Sequence, residues 1–271
     1  MLFQQTAILI HTAQLLTGLY KMHQHKKINQ SSLLRRKNMK KKLLLISLFL
    51  VNSYILLDVS EAHAEITSQA KSLNSIKFLE GGSESTNPVN PIDPDLPVEV
   101  DPVDPNNPGT NNPGPLSIDF ISNIQFGNNK INGKDTVYSA LNKSPYVQVT
   151  DVRGTEAGWE LKVAASEFTS TENPKDVLKG AELTFKNATV KSASKGNVSQ
   201  PPTSSDVTLI NSDTQTIMNA DENQGSGTWL STWTANSEVN ENVQLKVLSG
   251  SAKANTEYTA ELNWSLSDAP K

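Results

Sequence analysis

The chain of 271 residues contains no cysteine, so neither a disulfide nor a thiolate nucleophile is available to it. Histidine is almost as scarce, and all four histidines lie within the first 63 positions. If that N-terminal part is removed, the remaining chain lacks histidine as well. A Ser-His-Asp triad and a zinc site built on His or Cys are then excluded. We therefore expect no metal, no cofactor and no catalytic group of these kinds.

The N-terminal region has the pattern of a secretory signal peptide over residues 39–64. A basic run, Met39–Lys42, precedes the mostly apolar stretch Leu43–Leu57, and the small-x-small site Ala62-His63-Ala64 follows. The apolar stretch is shorter than the roughly 20 residues that a membrane-spanning helix needs. We interpret residues 1–38 as a mis-assigned upstream extension, with Met39 as the true start. The alternative is one long signal with an extended basic n-region.

Removal of residues 1–64 makes the chain strongly acidic. These residues hold nine of the 24 Lys and Arg but only two of the 28 Asp and Glu. The mature chain keeps 15 basic and 26 acidic residues, a net charge of −11, and Arg153 is its one arginine. Nucleic acids and anionic membrane surfaces are bound through clustered cations. The charge therefore predicts neither of them as a partner.

The mature chain divides by composition into three parts. Residues 65–87 are polar, and Ser75–Leu79 within them predicts a short helical or strand element. Residues 88–115 contain nine of the fourteen prolines, mixed with Asp and Asn. Proline fixes φ and keeps its predecessor out of the helical region, which predicts an extended, semi-rigid spacer without a core. The prolines also break the spacing of a calcium-binding loop, so Asp101 and Asp104 predict no calcium site.

Residues 116–271 predict a single all-β domain, a β-sandwich or a barrel. Short alternating segments recur between Gly, Asn and Ser turns, giving about eight to ten strands. The segments around Trp159-Glu-Leu161 and Leu262-Asn-Trp264-Ser-Leu266 alternate apolar and polar residues, as strands with one buried face do. The only helical character is weak and lies at 171–178. The polar stretch 215–226 predicts a mobile loop.

These tryptophans and leucines resemble the motifs of the WxL-domain family, cell-surface proteins of low-GC Gram-positive bacteria. The distal pattern Tyr-x3-Leu-x-Trp-x-Leu-x3-Pro is complete at Tyr258, Leu262, Trp264, Leu266 and Pro270. The proximal motif is Trp159-Glu-Leu161, preceded by Asp151-Val-Arg153-Gly. Together with the Pro/Asp/Asn-rich spacer, the resemblance covers roughly residues 85–271. Two motifs in this order are far more specific than a lone Trp-x-Leu.

The resemblance implies a secreted protein attached to the bacterial cell wall without a covalent bond, through contacts with peptidoglycan. It also implies other WxL proteins and membrane-tethered WxL-interacting proteins as partners. Two functions remain open: direct wall binding, or a structural and adhesive subunit of a multi-protein surface complex held by protein partners. An enzyme is not predicted, because an acidic chain offers carboxylate pairs such as Asp151 and Glu156 by chance.

The candidate residues for binding the wall or a partner are Trp159, Leu161, Trp229, Trp233, Trp264, Leu266, Arg153 and Asp151. The motif residues either pack in the core or present aromatic faces to a glycan. Trp229 and Trp233, at i and i+4 of one predicted strand, are the stronger candidates for glycan stacking, with core packing equally open. Arg153 either braces its turn by a bidentate pair with Asp151 or binds a carboxylate of a stem peptide.

Overall fold

The computed structural model describes residues 68–235 and 237–268, and the described residues from Asn74 onward form one compact unit. The predicted upstream extension and signal peptide lie outside the described residues. Within those ranges every regular element is a strand, so none is a helix that could cross a membrane. The all-β prediction is confirmed. The weak helical signal at 171–178 was wrong, because this segment forms turns and an isolated bridge from Val177 to Thr169.

Fourteen strands in four antiparallel sheets make up the described part of the chain. Their bounds are β1 Leu116–Ile121, β2 Thr136–Ala140, β3 Tyr146–Asp151, β4 Trp159–Ala165, β5 Thr169–Ser170, β6 Glu182–Phe185, β7 Thr189–Ser192, β8 Thr203–Ser204, β9 Val207–Leu209, β10 Gln215–Ala220, β11 Gly227–Thr232, β12 Asn240–Val247, β13 Tyr258–Thr259 and β14 Leu262–Asp268. The first sheet has the order β1-β3-β11-β7, the second β14-β4-β10-β8 and the third β2-β12-β6-β9. Strands β13 and β5 form a two-stranded ribbon.

The three larger sheets share one apolar core. Strand β4 alternates between fully and partly buried positions, and Trp159, Leu161 and Val163 point inward. The first sheet contributes Val149 and the third contributes Phe185 to the same cluster. Each buried apolar side chain of this size contributes about 1.5–3 kcal/mol. The core can therefore hold the domain together without disulfides.

The stretch 215–226 contains strand β10, so the prediction of a mobile loop was wrong. Strand β10 pairs with β4, and the adjacent residues Ile217 and Met218 are both fully buried. Their pairing shifts register between Thr216 and Met218. A bulge of this kind inserts an extra residue and breaks the alternation of side chains. The strand consequently has no period-two pattern in the sequence.

Residues 81–115, here called the proline-rich arm, include the spacer predicted at 88–115. The arm contains turns closed by the Leu96 and Asp104 N–H groups, and it lies along the first sheet. The backbone N–H of Gly81 donates to the carbonyl of Val152 at 3.0 Å. Lys191 Nζ, on edge strand β7, donates to the carbonyls of Pro91 and Ile92, both at 2.8 Å. A segment outside any strand ladder leaves many backbone polar groups without partners, and the first sheet supplies some of them. The arm therefore differs from a free spacer.

A buried polar network fastens the arm to the first sheet. Gln148 is fully buried; its Oε1 accepts from the Val89 N–H at 3.0 Å, and its Nε2 donates to the Asn87 carbonyl at 3.1 Å. The same Nε2 donates to Asp119 at 3.0 Å, and the Thr150 hydroxyl donates to Asp119 at 2.6 Å. Burial raises the pKa of the Asp119 carboxyl, while these hydrogen bonds oppose the rise.

Residues 68–80 form no regular element, so the short helix or strand predicted at Ser75–Leu79 is not present. The side chains of Ile76, Phe78 and Leu79 are 79%, 81% and 81% exposed. This apolar segment lies immediately before the proline-rich arm and contributes nothing to the core.

Candidate functional site

The two Trp-x-Leu motifs lie side by side in the second sheet. Strand β14 pairs with β4 in an antiparallel ladder that runs without a register shift from Leu262 to Asp268. Within it, Leu266 is opposite Leu161 and Asp268 is opposite Trp159. Two motifs that are far apart in sequence thus form one continuous structural feature.

The proximal motif lies deep in the core, since Trp159 and Leu161 are 0% exposed. Trp159 Nε1 donates to the carbonyl of Gly225 at 3.1 Å. A Cβ at Gly225 would lie 2.6 Å from that nitrogen, and its φ of +73° also favours glycine. Gly158, with a φ of +74°, approaches the Ala220 carbonyl so closely that a Cβ would lie 2.3 Å from the oxygen. These contacts fix Trp159 as a packing residue.

Trp229 and Trp233 are also covered, being 5% and 2% exposed. Trp229 Nε1 donates to the Ser226 carbonyl at 3.0 Å. Trp233 follows the end of β11 and tilts against Phe185, with ring centroids 5.0 Å apart. The core-packing alternative therefore describes both indoles, and neither presents an exposed face to a sugar ring.

Arg153 joins the ends of the strands that carry the motifs. Its Nε and Nη2 donate to the two carboxylate oxygens of Asp151 at 3.0 and 2.8 Å, a bidentate pair. Nη2 also donates to the Gly158 carbonyl at 2.6 Å, and Nη1 pairs with Asp268 at the end of β14. The bond to Asp151 raises the pKa of Arg153. This geometry is that of a structural brace, since all three guanidinium nitrogens are engaged.

The distal motif differs, because Trp264 and Leu266 are only half-buried against the core. Trp264 lines an open groove of about 1290 Å³ that runs beside β14, the segment 121–134 and the end of β12. Five half-buried aromatic side chains line this groove: Phe126, Tyr138, Phe168, Tyr258 and Trp264.

The rim of the groove is polar and carries balanced charge. Exposed carboxamides line it: Asn123, Gln125, Asn128, Asn129, Asn132, Asn255 and Asn263. The charged lining residues are two cations and two anions: Lys134, Lys253, Glu257 and Glu261. Trp264 Nε1 is itself buried and has no hydrogen-bond partner among the described residues. An aromatic floor with convergent polar groups is the usual composition of a ligand site.

Of the candidate residues predicted from sequence, Trp264 is the one that lines the groove. Leu266 lies beyond it on the same strand, and the others are in the core or the brace. Sequence reasoning missed Phe126, Tyr138 and Phe168 because they come from segments far apart along the chain. In residues 68–235 and 237–268, no group of three or more His, Cys, Asp or Glu is placed to hold a metal ion.

Comparison with known families identifies the domain. The family model described as "WxL domain surface cell wall-binding" matches residues 65–270, more than half of the chain and all of the sheets described above. No curated protein and no solved structure matches the chain. The ladder of two Trp-x-Leu motifs is thus the structural form of a family pattern. The chain belongs to the WxL-domain family of surface cell wall-binding proteins.

Proposed function

We propose that this protein is a secreted, non-enzymatic peptidoglycan-binding protein, held on the surface of Gram-positive cells without a covalent bond. The observation that carries the proposal is the groove with its five accessible aromatic rings and its carboxamide rim. Sugar rings offer flat C–H faces that pack on aromatic side chains, and their amides and hydroxyls pair with carboxamides. The family's cell wall-binding character supports the same conclusion.

The charge of the groove favours an uncharged glycan over a polyanionic wall polymer. Its lining cations, Lys134 and Lys253, are matched by Glu257 and Glu261. A polyanion would need an excess of cations to offset its repulsion by a domain that is acidic overall. Binding should therefore rest on aromatic packing and hydrogen bonds, and should weaken only modestly as salt is raised.

Sedimentation with isolated Gram-positive cell walls tests the proposal. We expect purified residues 65–271 to sediment with walls, and Tyr138→Ala with Tyr258→Ala to weaken binding about tenfold or more. Phe120→Ala is the matched control, because Phe120 is also a half-buried aromatic but stacks on Tyr146 outside the groove. Near-ultraviolet circular dichroism verifies that each variant is folded. Absence of sedimentation at every salt concentration, or an equal loss in Phe120→Ala, would refute the groove as the site.

A second candidate function is that of a subunit in a multi-protein surface complex held by protein partners. The free edge of β14 favours it, since strand addition is a common mode of protein recognition. Deletion of the neighbouring surface proteins separates the two functions. Release of this protein from the deletion cells would support partner-mediated attachment, and retention would support direct wall binding.

A further inference from the structure

Strand β14 is the one long sheet edge in the described residues that carries no protection. Natural proteins protect edges by making them short, by bulges, by Lys or Pro, or by covering them. Strands β8 and β9 are two and three residues long. The ladder between β2 and β12 shifts register between Asn240 and Gln244, so this edge is irregular. Strand β7 carries Lys191, which is bonded to the proline-rich arm.

Strand β1 is also a protected edge, whereas β14 is not. Strand β1 is bulged between Ile118 and Phe120, and the arm covers it through the Thr110 N–H, which donates to the Asp119 carbonyl at 2.9 Å. Strand β14 has seven residues, a regular ladder on its paired side, and neither Pro nor Lys in its sequence. Its outer backbone groups are therefore available to another strand.

The apolar face of β14 is also incompletely covered. Leu262, Trp264 and Leu266 are half-buried, whereas Leu161 and Val163 opposite them on β4 are fully buried. A further strand beside the end of β14 would remove the exposed part of Leu266 from water.

The chain itself provides a segment of matching pattern, residues 75–79. Ile76 and Phe78 are separated by Lys77, so an extended segment places both apolar side chains on one face. Both are about four-fifths exposed. In the described part of the chain, no hydrogen bond joins the backbone of residues 75–79 to the domain. Five extended residues span roughly 17 Å, so the segment is long enough to pair with all four residues of Ser265–Asp268.

Residues 75–79, here called the donor segment, and the free edge of β14 lie at the same corner of the domain. Gly81 is bonded to Val152, and the adjacent Arg153 pairs with Asp268 at the end of β14. The carboxylate of Glu80 is close enough to contribute to the raised pKa of Arg153. Two copies that meet at this corner can exchange segments reciprocally about a two-fold axis, which doubles the contact.

We propose that residues 75–79 of one copy add a strand to the free edge of β14 in a second copy. The added strand lies along Ser265–Asp268, beyond the groove, and Ile76 and Phe78 cover the exposed side of Leu266. Backbone hydrogen bonds supply the affinity, and the alternate side chains supply the specificity. This self-association goes beyond wall binding and leaves the groove free for glycan.

Sedimentation velocity tests the self-association. We expect residues 65–271 to form dimers as concentration rises, and Ile76→Asp with Phe78→Asp to weaken dimerisation about tenfold or more, because charges replace the buried face. The control is Val198→Asp, which changes an apolar side chain that is 96% exposed elsewhere. The donor residues lie outside the core, so the variant should stay folded. A wild-type protein that is monomeric at every concentration would overturn the proposal.

Engineered cysteines identify the contact, since the chain has none of its own. A Lys77→Cys protein mixed with a Ser265→Cys or Ser267→Cys protein should form a covalent dimer on oxidation, and Val198→Cys should not replace either partner. A protein that carries both substitutions in one chain provides the opposite test. If its disulfide forms only within that chain, the segment folds onto its own edge, which contradicts the proposal. The donor variant should still sediment with walls, which separates this test from that of the groove.

Discussion

The two Trp-x-Leu motifs have the same sequence pattern and belong to one ladder, yet their surroundings differ. Strand β4 is an inner strand, hydrogen-bonded to β14 on one side and to β10 on the other, and Trp159 and Leu161 are inaccessible to solvent. Strand β14 is an edge strand, and Trp264 and Leu266 keep part of their surface exposed. The pattern specifies which side chains face the core, and the position of the strand in the sheet decides how completely they are covered.

The largest expected effect comes from truncating each tryptophan in turn. Trp159→Ala should lower the free energy of unfolding by about 3–5 kcal/mol, because it empties a fully packed site. Trp264→Ala should cost about half as much, since part of the indole is already solvated. Urea unfolding followed by far-ultraviolet circular dichroism measures both. Equal losses would show that the two motifs contribute alike and would remove the distinction.

The brace between the motifs should produce the next largest effect. Arg153→Ala leaves the Asp151 carboxylate, whose side chain is 2% exposed, without its bidentate partner. We expect the free energy of unfolding to fall by about 2–3 kcal/mol. Asp268→Asn is the control for the distal end, and it should cost less than about 0.5 kcal/mol because Asp268 is 80% exposed. If Asp268→Asn lowered the free energy of unfolding as much as Arg153→Ala, the stabilisation by Arg153 would come mainly from its contact with β14.

The smallest expected effect distinguishes the middle residues of the motifs, Glu160 and Ser265. The Lys162 ammonium, with Nζ 2.8 Å from Glu160, and then the Thr216 hydroxyl hold the pKa of Glu160 below its usual 4.5. A lowered pKa means that the folded state binds fewer protons than the unfolded state. The stabilisation is present above pH 4.5 and is lost as the pH falls through the folded-state pKa.

Glu160→Gln should therefore flatten the pH dependence of stability below pH 4.5 by less than about 1 kcal/mol, because Lys162 is partly solvated. Unfolding by urea between pH 3 and 7 measures it. Ser265→Ala, at the equivalent place on β14, should leave the pH profile unchanged. An unchanged slope in Glu160→Gln would mean that other carboxyl groups account for the acid sensitivity.

Much of the fold follows from alternation, and the failures have local physical causes. Strands β4 and β14 were predicted because each alternates against a single core. The sequence alternates without a break from Tyr258 to Leu266, which suggests one strand, whereas β13 pairs with β5 and β14 pairs with β4. Alternation does not report a change of partner, so this division was not visible in the sequence.

The site was less predictable than the fold. Periodicity placed Trp229 and Trp233 on a strand face but gave no indication that other sheets cover that face. The composition of residues 88–115 predicted an extended spacer but not the turns within it. Its attachment depends on donors from residues as distant as Gln148 and Lys191. Burial and long-range hydrogen bonding are properties of the assembled sheets, which single segments do not encode.

The ladder between β4 and β14 also has a kinetic consequence. Leu161 and Leu266 are opposite each other although about 100 positions separate them, and contacts of such high sequence separation slow folding. No covalent cross-link shortens this search, because the chain has no cysteine. Until the ladder closes, β4 exposes its backbone and its apolar residues to other unfolded chains. The refolding yield of this domain should therefore decrease as protein concentration increases.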